Sequence, residues 1–361
     1  MGVFLKLFEV LFPVFLSIGI GYWYGKKDAK FDTNFITTFS GNIGLPCIIF
    51  YSLTFSDIDF DVFLKFSAFT LIYVGIFSVI GVIVLKLLKK DIVRLLPPLI
   101  LPNTGNMGMP LCLFAFGIKG LAIATAITST ILVLHFSVGI LLASRKFSIQ
   151  PLIKCIPVYA IIFSLFFVYY KIPAPKFLEN ATFLIGYSAI FLVLVSLGVA
   201  LSKLKVFSFK ETLIYSLIRI LIGPIIGFGF VKYFNLTGVE AGVMFIQASM
   251  PSAVLTYLVG KIYSPKKITD SIASTVALST FLSLFTLIFI VYFALKYFNL
   301  TGVEAGVMFI QASMPSAVLT YLVGKIYSPK KITDSIASTV ALSTFLSLFS
   351  LVLIVFLALK Y

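Results

Sequence analysis

The stretch Leu101-Pro102-Asn103-Thr104-Gly105-Asn106-Met107-Gly108-Met109-Pro110 lies inside an otherwise apolar run from about 92 to 117. Two prolines, two glycines and two asparagines at the centre of a membrane-length segment are costly. A proline removes a backbone donor and clashes with the preceding turn. Bare backbone groups in hydrocarbon cost several kcal/mol each, so such a break persists only where it faces protein or a water-filled cavity. Helices broken near the bilayer midplane are a common way for secondary transporters to build a substrate site. A single proline kink healed by its neighbours is the simpler alternative, and the clustering of breakers argues against it.

The rest of the chain sets the class. It is 60% hydrophobic and 11% charged, with a mean hydropathy of +1.12, outside the range of soluble domains. Apolar runs of about 20 residues, each long enough to cross a bilayer, recur throughout. They fall near 4–24, 33–54, 62–88, 92–117, 120–143, 152–170, 177–201, 208–232, 238–260 and 268–295, with two more near 302–324 and 332–359. The expected fold class is an all-α polytopic membrane protein. The N-terminus lacks a leading basic cluster, carries Glu9 and runs straight into a full-length span, so no cleavable signal peptide is expected.

The net charge of +15 does not point to nucleic acid, because the basic residues gather in alternate connections. They include Lys26, Lys27 and Lys30; Lys86, Lys89, Lys90 and Arg94; Arg145, Lys146 and Lys154; Lys203, Lys205 and Lys210; and Lys261, Lys266 and Lys267. One opposite connection, Ser56-Asp57-Ile58-Asp59-Phe60-Asp61, is acidic. The positive-inside rule makes the basic loops cytoplasmic and places both termini outside a plasma membrane. Membrane lipid is an expected partner and nucleic acid is not. Cys47, Cys112 and Cys155 show neither metal spacing nor a disulfide framework. Enzyme signatures are absent, and no cofactor or metal is expected.

Residues 232–295 and 296–359 repeat at a period of 64 and differ at only five positions. Old structural repeats drift further, so this reads as a recent tandem duplication of a two-span hairpin or as an artefact. The unit enters and leaves on one face, so doubling it inverts nothing. The ancestral count is then ten spans. Five is odd, so a second five-span half enters from the opposite face, the condition for an inverted repeat. The expected units are 1–143, 152–295 and the duplicate 296–361. Span 4 then has its counterpart in span 9, where Gln247-Ala248-Ser249-Met250-Pro251-Ser252 also sets a proline among polar residues. The same element recurs around Pro315.

Leu-Pro-Asn-Thr followed by Met-Gly-Met-Pro-Leu, at 101–104 and 107–111, resembles the auxin efflux carrier family, which includes bacterial permeases for malonate and other carboxylates. Ser249-Met250-Pro251 and the Ser/Thr-rich segment 271–283 are similar to its C-terminal half. The resemblance covers roughly 1–297. It implies the bile-acid-symporter type of fold, with a scaffold domain, a core with two crossing broken helices, and elevator-like alternating access. The extra hairpin departs from that pattern.

Asn103, Thr104 and Asn106 are candidate substrate contacts, with freed N–H groups and half-helix N-termini attracting an anion; alternatively they only satisfy the broken backbone. Gln247, Ser249 and Ser252 form the matching set. Pro102, Gly105, Gly108, Pro110, Pro251 and Pro315 shape the breaks. Arg219, mid-span before Pro224, is either a counter-ion for an anionic substrate or a contact to backbone carbonyls. Asn42, with Gly44 and Pro46, lines the cavity or marks a kink. Thr237 and Glu240 read as a capping box, Asp270 as a helix cap, and His135 as a packed or cavity-facing residue. A homodimer is a further expectation. The function expected is efflux or exchange of small organic anions, probed first with carboxylates. The alternatives are a sodium-coupled symporter of the same fold and a ligand sensor that does not transport. A stop codon after Lys296 is expected to give a chain that inserts, is stable and transports like the full one, as read by membrane yield, melting temperature and flux. Function only in the full chain, lost on mutating Pro315 and not Pro251, would reverse the assignment of the first copy to the core.

Overall fold

The computed structural model describes residues 3–27, 34–56, 58–203 and 209–297. The second hairpin copy, with Pro315, lies outside the described residues. The chain is an all-α polytopic membrane protein. Its elements are α1 (Val3–Lys27), α2 (Asn34–Phe39), α3 (Leu45–Thr54), α4 (Phe60–Leu87), α5 (Ile92–Ile100), α6 (Met109–Leu134), α7 (Ile140–Ser144), α8 (Gln150–Ile153), α9 (Ile156–Tyr170), α10 (Lys176–Lys203), α11 (Phe209–Tyr233), α12 (Gly238–Ala248), α13 (Val254–Tyr263) and α14 (Lys266–Tyr297). Short π-helical turns, Ser40–Gly44, Thr104–Gly108 and His135–Gly139, lead into α3, α6 and α7.

Among the described residues, seven helical stretches are long and apolar enough to cross a membrane. The ten expected from composition differ from this for physical reasons. The segments 92–117 and 238–260 are each cut in two by their proline breaks, which leaves short halves such as α12 and α13. The stretch α9 is 15 residues long. The run from Thr104 to Ser144 counts as one stretch, yet it is kinked at Gly117, whose φ of 65° and ψ of −157° only glycine adopts cheaply. That kink falls where the boundary between the fourth and fifth spans was expected.

In lipid, helices gain little from burying apolar surface against one another, so they associate where small residues let backbones approach. The contact of α1 with α10 is of this kind. A Cβ on Gly198 would lie 2.0 Å from the Ile18 carbonyl oxygen, and one on Gly21 would lie 2.0 Å from that of Val195. The α3 contact uses Gly186, whose Cβ would meet the Ile48 backbone at 2.9 Å. Large apolar side chains such as Leu64, Leu71, Val79 and Ile83 are exposed along α4, as expected of a lipid-facing surface.

The two breaks meet. Pro102 and Ser252 form an isolated antiparallel bridge. The Asn103 amide donates to the Pro251 carbonyl at 2.8 Å, and the Ala253 amide donates to the Leu101 carbonyl at 3.1 Å. Side chains meet further backbone groups there. Ser252 Oγ donates to the Pro98 carbonyl, and the Ser252 amide donates to Ser279 Oγ on α14 at 3.3 Å. Arg219 of α11 is fully buried. Its Nε donates to the Met250 carbonyl at 2.9 Å, Nη1 to Leu99 at 3.2 Å and Nη2 to Ala248 at 2.9 Å. Tyr73 Oη on α4 adds a second bond to Ala248 at 3.0 Å. The guanidinium also lies over the Phe77 ring, 4.5 Å from its centroid, where the ring face stabilises its charge. One side chain thus ties the ends of α5 and α12 together.

Two local readings are corrected. Thr237 precedes α12 without a side-chain capping bond, and Glu240 pairs instead with Lys65 of α4 at 2.7 Å. A charge-assisted contact within reach outweighs a neutral cap. Asp270 is not a cap either, because α14 already starts at Lys266, launched by amides that bond back to the Pro265 carbonyl. Thr269 Oγ1 reaches the Gly260 carbonyl at 3.0 Å and joins α14 to α13.

Removing Arg219 leaves three buried carbonyls, and each charge-assisted bond of this kind contributes about 1.5–3 kcal/mol. Arg219→Ala is therefore expected to lower the yield and melting temperature of the detergent-solubilised chain sharply. Arg219→Lys is expected to restore little, since a point ammonium cannot span a fork of three acceptors. An Arg219→Ala chain as stable as the parent would contradict the assignment.

Candidate functional site

The crossing places both predicted polar sets around one point. Asn103 is 3% exposed and Thr104 1%. Asn106, on the next turn, is half-buried. The π-helical turn Thr104–Gly108 widens the start of α6 and is closed by the Gly108 amide on the Asn103 carbonyl at 3.2 Å. Pro110 occupies the first turn of α6, where its missing donor is harmless. Pro102 and Pro251 sit in the extended linkers that pair.

From the other side, Gln247, Ser249 and Ser252 are all buried. Gln247 packs directly on the π turn. A Cβ at Gly108 would lie 2.2 Å from Gln247 Oε1, so any larger residue there would push the Gln247 amide aside. Gln247 Nε2 points to Cys112 Sγ at 3.8 Å. Gly105 meets Thr128 of α6, whose Cγ2 would lie 3.3 Å from an added Cβ. The turn is therefore held between Gln247 and Thr128.

The hydrogen-bond state of these side chains separates their roles. Ser249 Oγ donates to the Phe245 carbonyl at 2.7 Å, and Ser252 Oγ is bound to Pro98. Both hydroxyl protons satisfy helix ends. Arg219 is likewise bound to three carbonyls, the second of the two roles its position allowed. In contrast, Asn103 Nδ2, Gln247 Oε1, Thr128 Oγ1 and Ser129 Oγ are buried and have no hydrogen-bond partner. Buried polar groups are rarely left so. Asn42 lies apart from this set in its bonding. It is exposed on the π turn Ser40–Gly44, which packs beside α10.

Thr128 and Ser129 were not singled out from sequence. The signal was the polar run Thr128-Ser129-Thr130 inside an apolar span, which shows that polar residues are present without showing which turn they face. Tyr73, which helps complete the backbone pairing, carries no local signal either, and Ser279 was marked only as part of the Ser/Thr-rich segment 271–283. Small cavities flank the crossing. One is bounded by Thr70, Tyr73, Pro102, Met244 and Gln247, the other by Arg94, Leu101, His135, Thr256 and Ile272.

No cluster of His, Cys, Asp and Glu able to hold a metal exists among the described residues. The half-helices that begin at the crossing, through the π turn into α6 and at α13, present the positive ends of their dipoles to it. Residues 137–291 match a family described as membrane transport protein. The chain is also 26% identical over 303 residues to an uncharacterized transporter of Methanocaldococcus jannaschii, covering 76% of this chain and 95% of that protein. With the apolar helices, these likenesses point to a multi-pass membrane transporter and away from an enzyme.

Proposed function

We propose that the chain is a secondary transporter of small organic anions, carboxylates above all, which it exports or exchanges across a plasma membrane with both termini outside. The observation that carries this reading is the group of buried, unpartnered polar atoms at the crossing. Asn103 Nδ2 and the Thr128 hydroxyl are donors without acceptors, and a carboxylate offers several acceptor sites at once. The Gln247 amide supplies a donor on rotation. Two half-helix N-termini add favourable potential without a full charge, which suits a ligand that must also leave. Arg219 is not the counter-ion in this reading; it holds the carbonyl ends of the broken helices so that the donors stay aimed.

The cavities on either side of the crossing support alternating access. One adjoins Arg94 and Gly260, near the basic connections, and the other adjoins Thr70 and Met244, near the opposite face. Movement of the crossing against the scaffold formed by α1, α3 and α10 would open one and close the other, the elevator-type cycle that the resemblance implies. A sodium-coupled symporter is less well supported. The carbonyls that sodium would use, at Leu99, Leu101, Ala248, Met250 and Pro251, already accept hydrogen bonds.

Purified protein in liposomes is expected to move labelled malonate or phenylacetate, with a rate that does not respond to outside sodium. Asn103→Ala and Asn106→Ala are expected to fold normally and to lose transport by about tenfold or more, the loss of one charge-assisted hydrogen bond. Parental flux in both variants would refute the site. Flux of cations with none of either carboxylate would refute the class, and binding without flux would favour a sensor.

A further inference from the structure

The single histidine of the chain, His135, opens the π-helical turn at the end of α6. A π turn carries an extra residue and often marks a functional position in a helix. His135 is 3% exposed and lines the water-sized cavity below the crossing, together with Arg94, Leu101, Thr256 and Ile272. Leu101 closes one side, and its carbonyl is part of the bridge between the two breaks. The other side reaches Ala143 and Gly260, next to the basic residues Arg145 and Lys261.

The hydrogen bonding of the ring fixes its tautomer. Nδ1 lies 2.9 Å from the Ile131 carbonyl oxygen. A carbonyl only accepts, so Nδ1 carries the hydrogen. In the neutral ring Nε2 is then a bare acceptor, and it is buried with no partner. No donor among the described residues meets it.

Arg94 is the charged group on the same cavity. Its Nε donates to the Ala143 carbonyl at 3.4 Å, and it lies 3.6 Å from Asp91. Asp91 is shared with Arg145 at 3.3 Å, so the three together carry one net positive charge. The elements packed on the π turn are α6, α7, α8 and α13. Neither α7 nor α8 carries a titratable residue. On α6, Lys119 and Cys112 lie toward the other end. On α13, Tyr257, Lys261 and Tyr263 are outside the cavity lining.

We propose that this cavity, large enough for about one water in this state and widened when the crossing moves, is a second anion station between the crossing and the basic face, where the carboxylate group sits between Arg94 and His135 and its arrival draws one proton onto His135. The proton comes from water on the basic side and forms the Nε2–H bond as the anion arrives. Nδ1–H stays on the Ile131 carbonyl, and release of the carboxylate returns the Nε2 proton to water. One proton then accompanies each carboxylate past this point. An imidazolium beside Arg94 is tolerated only while the anion is present, which makes the two arrivals interdependent.

This rests on the anion-transport reading, and the test separates the two. Because the chain has one histidine, a tag-free preparation labelled with nitrogen-15 histidine reports on it alone by NMR. On titration with malonate near neutral pH, the Nε2 signal is expected to move from the neutral to the imidazolium position while Nδ1–H is retained. Arg94→Gln is expected to weaken malonate binding about tenfold, the loss of one charge-assisted bond, and to suppress the shift. In liposomes, His135→Gln is expected to slow malonate exchange and to abolish its acceleration by a pH gradient. A ring that stays neutral while malonate binds through Asn103 overturns this inference and leaves the transport reading standing. Absence of any malonate binding to the parent chain overturns both.

Discussion

Everything in this structure depends on how two interrupted helices satisfy their backbone inside a membrane. Interrupting a helix in hydrocarbon exposes carbonyls at the end of one half and amides at the start of the next. Neither break can meet that demand alone. Each supplies the other's missing partner, through Asn103 to Pro251 and Ala253 to Leu101, and Arg219 takes three of the carbonyls left over. A buried arginine is costly by itself. Here its desolvation is offset by three carbonyl oxygens and the Phe77 ring, so the ion and the bare carbonyls resolve one another's cost.

In the proposed reading, that division of labour leaves a specific set of polar groups for a ligand. Groups that hold the backbone, Ser249, Ser252, Tyr73 and Arg219, are fully engaged. Groups on the other side of the same turn, Asn103, Gln247 and Thr128, are buried and unengaged. A site made this way, in the same proposed reading, binds through neutral dipoles at a rigid point. In the proposed cycle such a point moves as a body against α10, which packs closely on α1 and α3 through glycines.

Much of this was legible in the sequence, for identifiable reasons. Proline, glycine and asparagine clustered in an apolar run are conspicuous because lipid-facing helices have few reasons to contain them, so both breaks stood out. The parity of the spans made the two breaks counterparts, and their crossing was what the family resemblance implied. Side-chain roles were less legible, because they depend on partners distant in sequence. Arg219 allowed two readings until the carbonyls of Leu99 and Met250 were seen around it. Glu240 looked like a local cap because the position of Lys65 on α4 is a tertiary fact. Thr128 gave no orientation, since a threonine in an apolar helix can bond its own backbone as readily as line a site.

The central claim is that the anion is held by the unengaged dipoles at the crossing while Arg219 holds the protein together. An experimental structure with malonate bound tests this most directly. The account predicts ligand density within hydrogen-bond distance of Asn103 Nδ2 and Thr128 Oγ1, with the guanidinium of Arg219 still on the carbonyls of Leu99, Ala248 and Met250. A carboxylate paired with Arg219, and those carbonyls released, would contradict it.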